Sequence, residues 1–290
     1  MPTPATSSST PSAEPIYIKK ADGTLEPFDL AKLTESLENS GSSVAIAKRV
    51  VEHVSQELVN GMSSAEIYRH AFEVLRRESM PTASRYSLRR ALAELGPNGF
   101  PFEKFVADIF KVWKYETLTD QMVKGACVEH ETDVVAWNNE KLVMVEAKFH
   151  NEFGLKSDLK VALYVKARID DILNAGAIFD YGGKRRALSE GWLITNTKFT
   201  EQAIKYGSCV GLKMVGWNYP AQGNLHDIIT ESKLHPFTCL ATLSNVHKKN
   251  LLERGVILCK EITPKILQEN GIDEAGITAV MGEIGEVCGM

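Results

Sequence analysis

Residues 133–148 read Asp-Val-Val-Ala-Trp-Asn-Asn-Glu-Lys-Leu-Val-Met-Val-Glu-Ala-Lys. Two apolar runs, 134–137 and 142–145, flank a polar break of Asn138, Asn139, Glu140 and Lys141. That pattern predicts two short strands joined by a hairpin loop. Side chains along a strand alternate faces, so Glu146 and Lys148 share one face. Val143, Val145, Ala147 and Phe149 share the other, which suits a core. An acid and a base side by side at the end of an apolar strand are costly unless they are paired or used. Asp133, at the base of the same hairpin, is positioned to join them.

Two carboxylates beside a lysine carry a definite chemistry. Carboxylate oxygens are hard ligands suited to Mg²⁺ or Mn²⁺, which makes Asp133 and Glu146 the candidate metal ligands. Such a metal lowers the pKa of a bound water and clamps the phosphate under attack. A lysine can hold the attacking hydroxide and offset charge developing at phosphorus. Alone, an E-x-K triplet is common as a solvated ion pair on a strand. With Asp133 at hairpin distance, the set resembles the PD-(D/E)xK nuclease superfamily, Asp133 being the first acid and Glu146-Ala147-Lys148 the E-x-K. The wider order resembles the Mrr-type restriction endonucleases: a helix with Phe102-Glu103, then Asp133, then E-x-K, then a later strand, 191–196, ending in Thr195-Asn196. The resemblance implies catalytic roles for Asp133, Glu146 and Lys148, and a metal site that Glu103 can complete. Glu103 reads equally well as a solvated first-turn glutamate favoured by the helix dipole. Residues 128–132, Val-Glu-His-Glu-Thr, stand where that family has a glycine-rich loop.

The chain has 290 residues, 44% hydrophobic and 24% charged, as in an ordinary soluble globular protein, with room for two domains and an appendage. No apolar run approaches the ~18 residues of a membrane span, and no secretory signal is visible. Cys127, Cys209, Cys239, Cys259 and Cys288 are widely spaced and include no C-x-x-C pair. Disulfides and structural zinc are therefore not expected, and a reducing cytoplasm is the expected setting. The net charge of −4 means that any nucleic-acid contact must use a local basic face.

Residues 1–15 are mostly Ser, Thr, Pro and Ala and read as a disordered tail. Residues 16–28 read as a strand, an Asp22-Gly23 turn and a second strand. Asp29 caps a helix to about Asn39. A second helix covers about 43–60 and stops at Gly61. Ser63 or Ser64 opens a third, with Glu66 in position for a capping box if Ser63 is the cap. Pro81 breaks it, and a fourth covers about 82–95. The order of hairpin and four helices, with Lys19-Lys20-Ala21-Asp22-Gly23 in the hairpin, is similar to the ATP-cone domain, a nucleotide-binding regulatory module. Ala21 stands where that family has an arginine, and Lys19 brings a charge one residue earlier. The resemblance implies ATP or dATP as effector, with Ile18, Lys20, Glu26, Asp29 and Lys32 lining the site, Lys19 beside them, and Ser64 and Tyr68 contributing from the third helix. Lysines on a hairpin and an adjacent helix suit a triphosphate, but they also suit a solvated surface.

Residues 96–101 form a turn-rich linker. Phe102, Phe105, Val106, Ile109 and Phe110 mark a helix beyond it. After the E-x-K, a helix from about 157 to 174 has Leu159, Ala162, Leu163, Ile169, Ile172 and Leu173 inside and Lys156, Lys160, Lys166 and Arg168 elsewhere. With Lys184, Arg185 and Arg186 in a following Gly-rich loop, these are candidate phosphate contacts, or plain soluble surface. A strand at 191–196, a helix at 199–206 and a strand at 212–217 complete an α/β sheet. From His235 the chain is helical, with a turn at Gly255 and a break at Gly271 that faintly resemble a helix-hairpin-helix. His53, His235 and His247 lack ligand spacing.

The expected fold is α+β and α/β. A β-hairpin plus four-helix cone at 16–96 is followed by a mixed-sheet PD-(D/E)xK nuclease domain at 100–232 and a short helical region at 235–290. The expected function is a Mg²⁺-dependent DNA endonuclease of restriction or defence type, regulated by ATP or dATP, soluble, with homo-oligomerisation as the coupling device. The alternative is a non-enzymatic nucleotide-sensing regulator whose nuclease-like domain only binds DNA.

Overall fold

The computed structural model describes residues 15–20, 23–96, 99–152 and 154–289. The expected tail up to Glu14, the turn residues Ala21 and Asp22, and Pro97 and Asn98 of the linker lie outside the described residues. Contacts divide the chain into two compact units, the first ending at Val74 and the second beginning at Leu75.

In the first unit, β1 (Tyr17–Lys19) and β2 (Leu25–Pro27) pair antiparallel, with Ile18 opposite Glu26. Gly23 closes the turn by donating to the Lys20 carbonyl at 2.9 Å, at a φ of +84 that a side chain would strain. Helix α1 (Leu30–Asn39) starts at Asp29, whose carboxylate accepts the Ala31 amide. Helix α2 (Val44–Glu57) is capped by Ser43. Helix α3 (Ser64–Glu78) opens on the capping box expected for Ser63. The Ser63 amide donates to Glu66 Oε2 at 2.8 Å, and the Glu66 amide donates to Ser63 Oγ at 3.2 Å. The segment before α3 lies along β1, through Gly61 N–H to the Tyr17 carbonyl and Lys19 N–H to the Met62 carbonyl. Ile18, Leu33, Leu37, Ala47, Val50, Val54, Ile67 and Ala71 form the core.

The second unit begins within α3. The single helix expected at 82–95 is two, α4 (Met80–Tyr86) and α5 (Leu88–Ala93). Ser87 divides them: its hydroxyl donates to the Ser84 carbonyl, a local bond that competes with helix continuation. Helix α6 (Phe100–Val112) buries Phe102, Phe105, Ile109 and Phe110, each worth ~1.5–3 kcal/mol by transfer from water. Strands β3 (Glu116–Lys124), β4 (Glu129–Trp137) and β5 (Leu142–Lys148) follow as an antiparallel meander. The loop expected at 128–132 is instead largely the start of β4, held by pairing of Glu129 with Lys124 and Thr132 with Gln121.

Beyond β5 come β6 (Lys156–Ser157), α7 (Leu159–Asn174) and the hairpin β7 (Phe179–Tyr181) and β8 (Lys184–Arg186). The basic run 184–186 is therefore a strand rather than a loop. Lys184 donates to the Asn139 carbonyl and Arg186 Nη1 to the Tyr181 carbonyl, so backbone acceptors hold both side chains. Strands β9 (Glu190–Thr195) and β10 (Lys198–Phe199), helix α8 (Glu201–Cys209) and strand β11 (Lys213–Val215) complete a mixed five-stranded sheet in the order β11-β9-β5-β4-β3. Strands β5, β9 and β11 run parallel.

Both faces of the sheet are covered, which explains the unbroken apolar runs of the hairpin. Val134, Ala136, Val143, Val145 and Ala147 pack in one core with α6 and the C-terminal helices. Val135, Trp137, Leu142 and Met144 pack in another with Ala162, Val165, Ile169 and Ile172 of α7. Gly191 permits this approach, since a Cβ there would meet Ile169 at 2.7 Å. Helices α9 (Leu225–Ser232), α10 (Asn245–Glu253), α11 (Pro264–Glu269) and α12 (Glu274–Cys288) close the chain. Glu283 of α12 is 4% exposed and accepts from Ser84 Oγ, the Ala241 and Thr242 amides and Thr242 Oγ1. One buried carboxylate thereby ties α4 to the C-terminal helices. Among the described residues, no helix is long and apolar enough to cross a membrane.

Candidate functional site

The ends of β4 and β5 carry the first candidate site. Val134 pairs with Val145, so Asp133 and Glu146 come next along the two neighbouring strands. Asp133 shares strand parity with Val135 and Trp137, and Glu146 with Leu142 and Met144, so both carboxylates face the α7 side. Lys148 follows on that face, opposite Thr195 of β9. Oδ2 of Asp133 accepts the Ala147 amide at 2.7 Å, fixing the carboxylate at the turn of the E-x-K. The neighbouring edge strand is irregular here. Thr119 pairs with Val134 and Gln121 with Thr132, while Asp120 between them has a φ of +56.

The charges are unbalanced. Burial, then repulsion from Glu146, pushes the Asp133 carboxyl up to about 7, against the opposing pull of the Ala147 amide and Arg168. Glu103, in the first turn of α6, is also raised, by burial and by the charges of Asp120, Glu131 and Glu146. Glu146 is held by Arg168 of α7, the two side chains being only 17% and 12% exposed. The sequence reading offers Arg168 as a surface phosphate contact or as plain soluble surface, but the side chain points inward. Its position on the border of the α7 apolar stripe, three residues after Val165 and one before Ile169, is the sequence signal for that. Lys148 makes no ion pair among the described residues. Burial and then the Lys148 charge hold His150 below the usual imidazole range.

A buried polar chain fixes this end of the sheet. His150 Nε2 lies 3.0 Å from Ser157 Oγ, which donates to Thr195 Oγ1, itself 3.2 Å from Thr197 Oγ1. Asn196 clamps the His150 backbone, accepting its N–H at 2.9 Å and donating to its carbonyl at 2.7 Å. Sequence reasoning reaches only the Thr195-Asn196 end of this network, because its members are far apart along the chain.

Asp133 and Glu146 are the carboxylates that could hold a hard divalent ion. Mg²⁺ commonly takes one or two protein carboxylates and keeps its waters, and the mutual repulsion of Asp133, Glu146 and Glu103 is what a cation would relieve. Among the described residues, no three His, Cys, Asp or Glu side chains are arranged as a metal site.

The cone presents a separate groove of about 710 Å³. Glu26, Asp29 and Lys32, three of the expected residues, line it. Lys20 adjoins it through an ion pair to Glu26 at 3.5 Å. The remaining expected residues do not line it. Ile18 is 7% exposed and belongs to the core. The Lys19 backbone bonds to Met62. Ser64 starts α3, and Tyr68 stacks on Phe72 with ring centroids 6.0 Å apart. Phe28, the apolar place of the cone motif, also lines the groove, and so do Ile16, Leu30, Ser55 and Leu58, which have no signal in that motif. Leu58 continues the spacing of the α2 core stripe, but it caps the helix instead.

The C-terminal helices also gather residues that lie far apart in sequence. The neighbouring thiols of Cys239 and Cys288, and then burial, push the Cys259 thiol well above the usual range. His235 lies near Cys288, yet neither of its ring nitrogens has a hydrogen-bond partner among the described residues. All five cysteines are free.

The fold and its two sites define a nucleotide-binding cone followed by a mixed-sheet α/β unit with a helical C-terminus. Residues 16–94 match the ATP cone domain, and residues 235–288 match a family described as AF1548-like, C-terminal. An uncharacterised protein of Archaeoglobus fulgidus is 33% identical over 178 residues, covering 60% of this chain and 95% of that protein. The crystal structure of the protein of unknown function AF1548 is 32% identical with a TM-score of 0.52, over 66% of this chain and 99% of that one. The chain belongs to the AF1548-like family. Can2 from Sulfobacillus thermosulfidooxidans, solved with cyclic tetra-adenylate, is 13% identical at a TM-score of 0.33, too distant to bear on fold or function; the match covers 75% of this chain and 68% of that one.

Proposed function

We propose that this protein is a divalent-metal-dependent endonuclease acting on DNA, regulated by ATP or dATP bound at its cone. One observation carries the reading: Asp133, Glu146 and Lys148 share one face at the adjoining ends of two paired strands. That is the arrangement the E-x-K resemblance calls for. Asp133 and Glu146 would hold Mg²⁺ or Mn²⁺, with Glu103 at the rim. When bound, the metal supplies an acidified water and charge compensation for the phosphodiester. Lys148 orients the nucleophile and offsets charge on the phosphate oxygens. The Ala147 amide keeps Asp133 oriented toward Glu146, and the Asn196 clamp keeps the end of β5 from shifting. The test is nicking of supercoiled plasmid with and without divalent ions, by the wild type and by Glu146→Ala.

The second reading is a nucleotide-sensing DNA-binding regulator without catalysis. It draws on the Arg168–Glu146 ion pair, which gives the carboxylate a protein partner. Metal-independent DNA retention, with no nicking in any divalent ion, would select it.

A further inference from the structure

Arg168 is the most constrained cation of the acidic face. Its Nη1 contacts Glu146 and donates to the Glu131 carbonyl at 2.8 Å. Its Nη2 donates to the Tyr164 hydroxyl at 2.8 Å, and the guanidinium lies 4.8 Å from the centre of the Tyr164 ring. Its Nε is buried and has no hydrogen-bond partner among the described residues. A guanidinium is a planar fork that suits a carboxylate and a phosphate equally well. Tyr164 is 60% exposed, one helical turn before Arg168. One edge of the guanidinium is therefore buried on an acid, and its tyrosine support borders solvent.

Glu146 cannot give one oxygen at full strength to both a guanidinium and a divalent ion. Nor can Arg168, a fixed positive charge, sit against a bound cation without raising its energy. Resting on the nuclease reading above, we propose that Arg168 is a positioning residue with two alternative partners. It holds Glu146 while no metal is bound. When a divalent ion takes Glu146, Arg168, steadied by Tyr164, turns its fork to the phosphodiester. Metal and substrate then support each other through one residue. The metal frees the guanidinium, and the phosphate takes up the charge that would otherwise oppose the metal. By linkage the effect is reciprocal, so DNA must also raise metal affinity.

The experiment uses the full chain at pH 8. Mn²⁺ binding is followed by calorimetry, and binding to a labelled duplex in Ca²⁺ by fluorescence anisotropy. Arg168→Gln removes the competing charge and should bind Mn²⁺ about tenfold tighter, while its duplex affinity falls about tenfold. Arg168→Lys keeps a charge without the fork and should recover the wild-type Mn²⁺ affinity more fully than the duplex affinity. Tyr164→Phe, at an exposed position, should weaken duplex binding and leave Mn²⁺ affinity unchanged. Wild-type or weaker Mn²⁺ binding by Arg168→Gln overturns the competition. Undiminished duplex binding by both Arg168→Gln and Tyr164→Phe overturns the phosphate role. Asp133→Ala and Glu146→Ala separate the two levels. If they bind Mn²⁺ like the wild type, the metal site itself is misassigned and the nuclease reading falls with this one. If they lose Mn²⁺ while Arg168→Gln behaves like the wild type, only the role of Arg168 falls.

Discussion

Asp133 Oδ2 accepts the backbone N–H of Ala147 at 2.7 Å, so the first acid is anchored between Glu146 and Lys148. This bond favours the ionised carboxylate, yet burial and Glu146 outweigh it and drive Asp133 up to about 7. Between about pH 4 and pH 7 the folded state then holds a proton that the unfolded state has lost. Stability accordingly falls as pH rises through that window, by about a few kcal/mol in all. Asp133→Asn keeps an acceptor for Ala147 and removes the charge. In EDTA it should melt above the wild type at pH 8 and close to it at pH 4. A lower melting temperature at pH 8 would contradict the electrostatic account.

Lys148→Ala should fold normally and lose about a hundredfold or more in nicking rate, since its amine makes no ion pair among the described residues. Glu146→Ala and Asp133→Ala should lose at least as much. Cleavage at the wild-type rate by purified Lys148→Ala would remove it from the chemistry.

On the proposed nuclease reading, metal dependence follows from the same residues. Mg²⁺ or Mn²⁺ should support nicking, and Ca²⁺ should bind but support it poorly, because its looser coordination positions a water less well. Activity that persists in excess EDTA would sink the mechanism.

Glu283 governs stability rather than chemistry. Its four donors come from α4, the segment after the Phe237–Cys239 turn, and Thr242. Glu283→Ala leaves those buried donors unmatched and should reduce unfolding free energy by ~3 kcal/mol or more. Urea unfolding measures it, and a change under ~1 kcal/mol would mean that water replaces the carboxylate.

The hairpin at 133–148 is legible in the sequence because its apolar runs and polar break are strong local signals. Strand β3 is not, since it is an edge strand whose Leu118 and Met122 are exposed, leaving no apolar run to read. The Ser63–Glu66 cap is visible in a four-residue motif, whereas the Ser87 break depends on where one hydroxyl points. In the site, the acids and the lysine are legible through strand parity. Arg168 is legible only weakly, because its place at the edge of the helical stripe is a slight signal and the packing of α7 on the sheet is what turns it inward. The contact of Cys259 with Cys239 and Cys288 joins segments about twenty and thirty residues apart, a distance over which spacing rules carry no information.

The cone gives the last prediction. Lys32 lines the groove and Lys20 is paired to Glu26 at its edge, so both ammonium groups are available to a triphosphate at modest rearrangement. The Lys20–Glu26 pair is exposed on both sides and contributes little to stability, so its loss should leave the fold intact. Changing Lys20 and Lys32 together to Ala removes two phosphate donors. Affinity for ATP and dATP should fall together, by about tenfold or more, with the Asp133–Lys148 chemistry untouched. If nucleotide regulates by shifting an oligomer equilibrium, it can do so only by its differential affinity for the two assemblies, and assembly must change nucleotide affinity in return. Light scattering after size exclusion, with and without dATP and alongside nicking rates, reads both effects. A double variant that binds nucleotide as tightly as the wild type would remove the lysines from the site. A wild type whose size and nicking rate both ignore bound dATP would break the regulatory link while leaving the cone as a nucleotide-binding module.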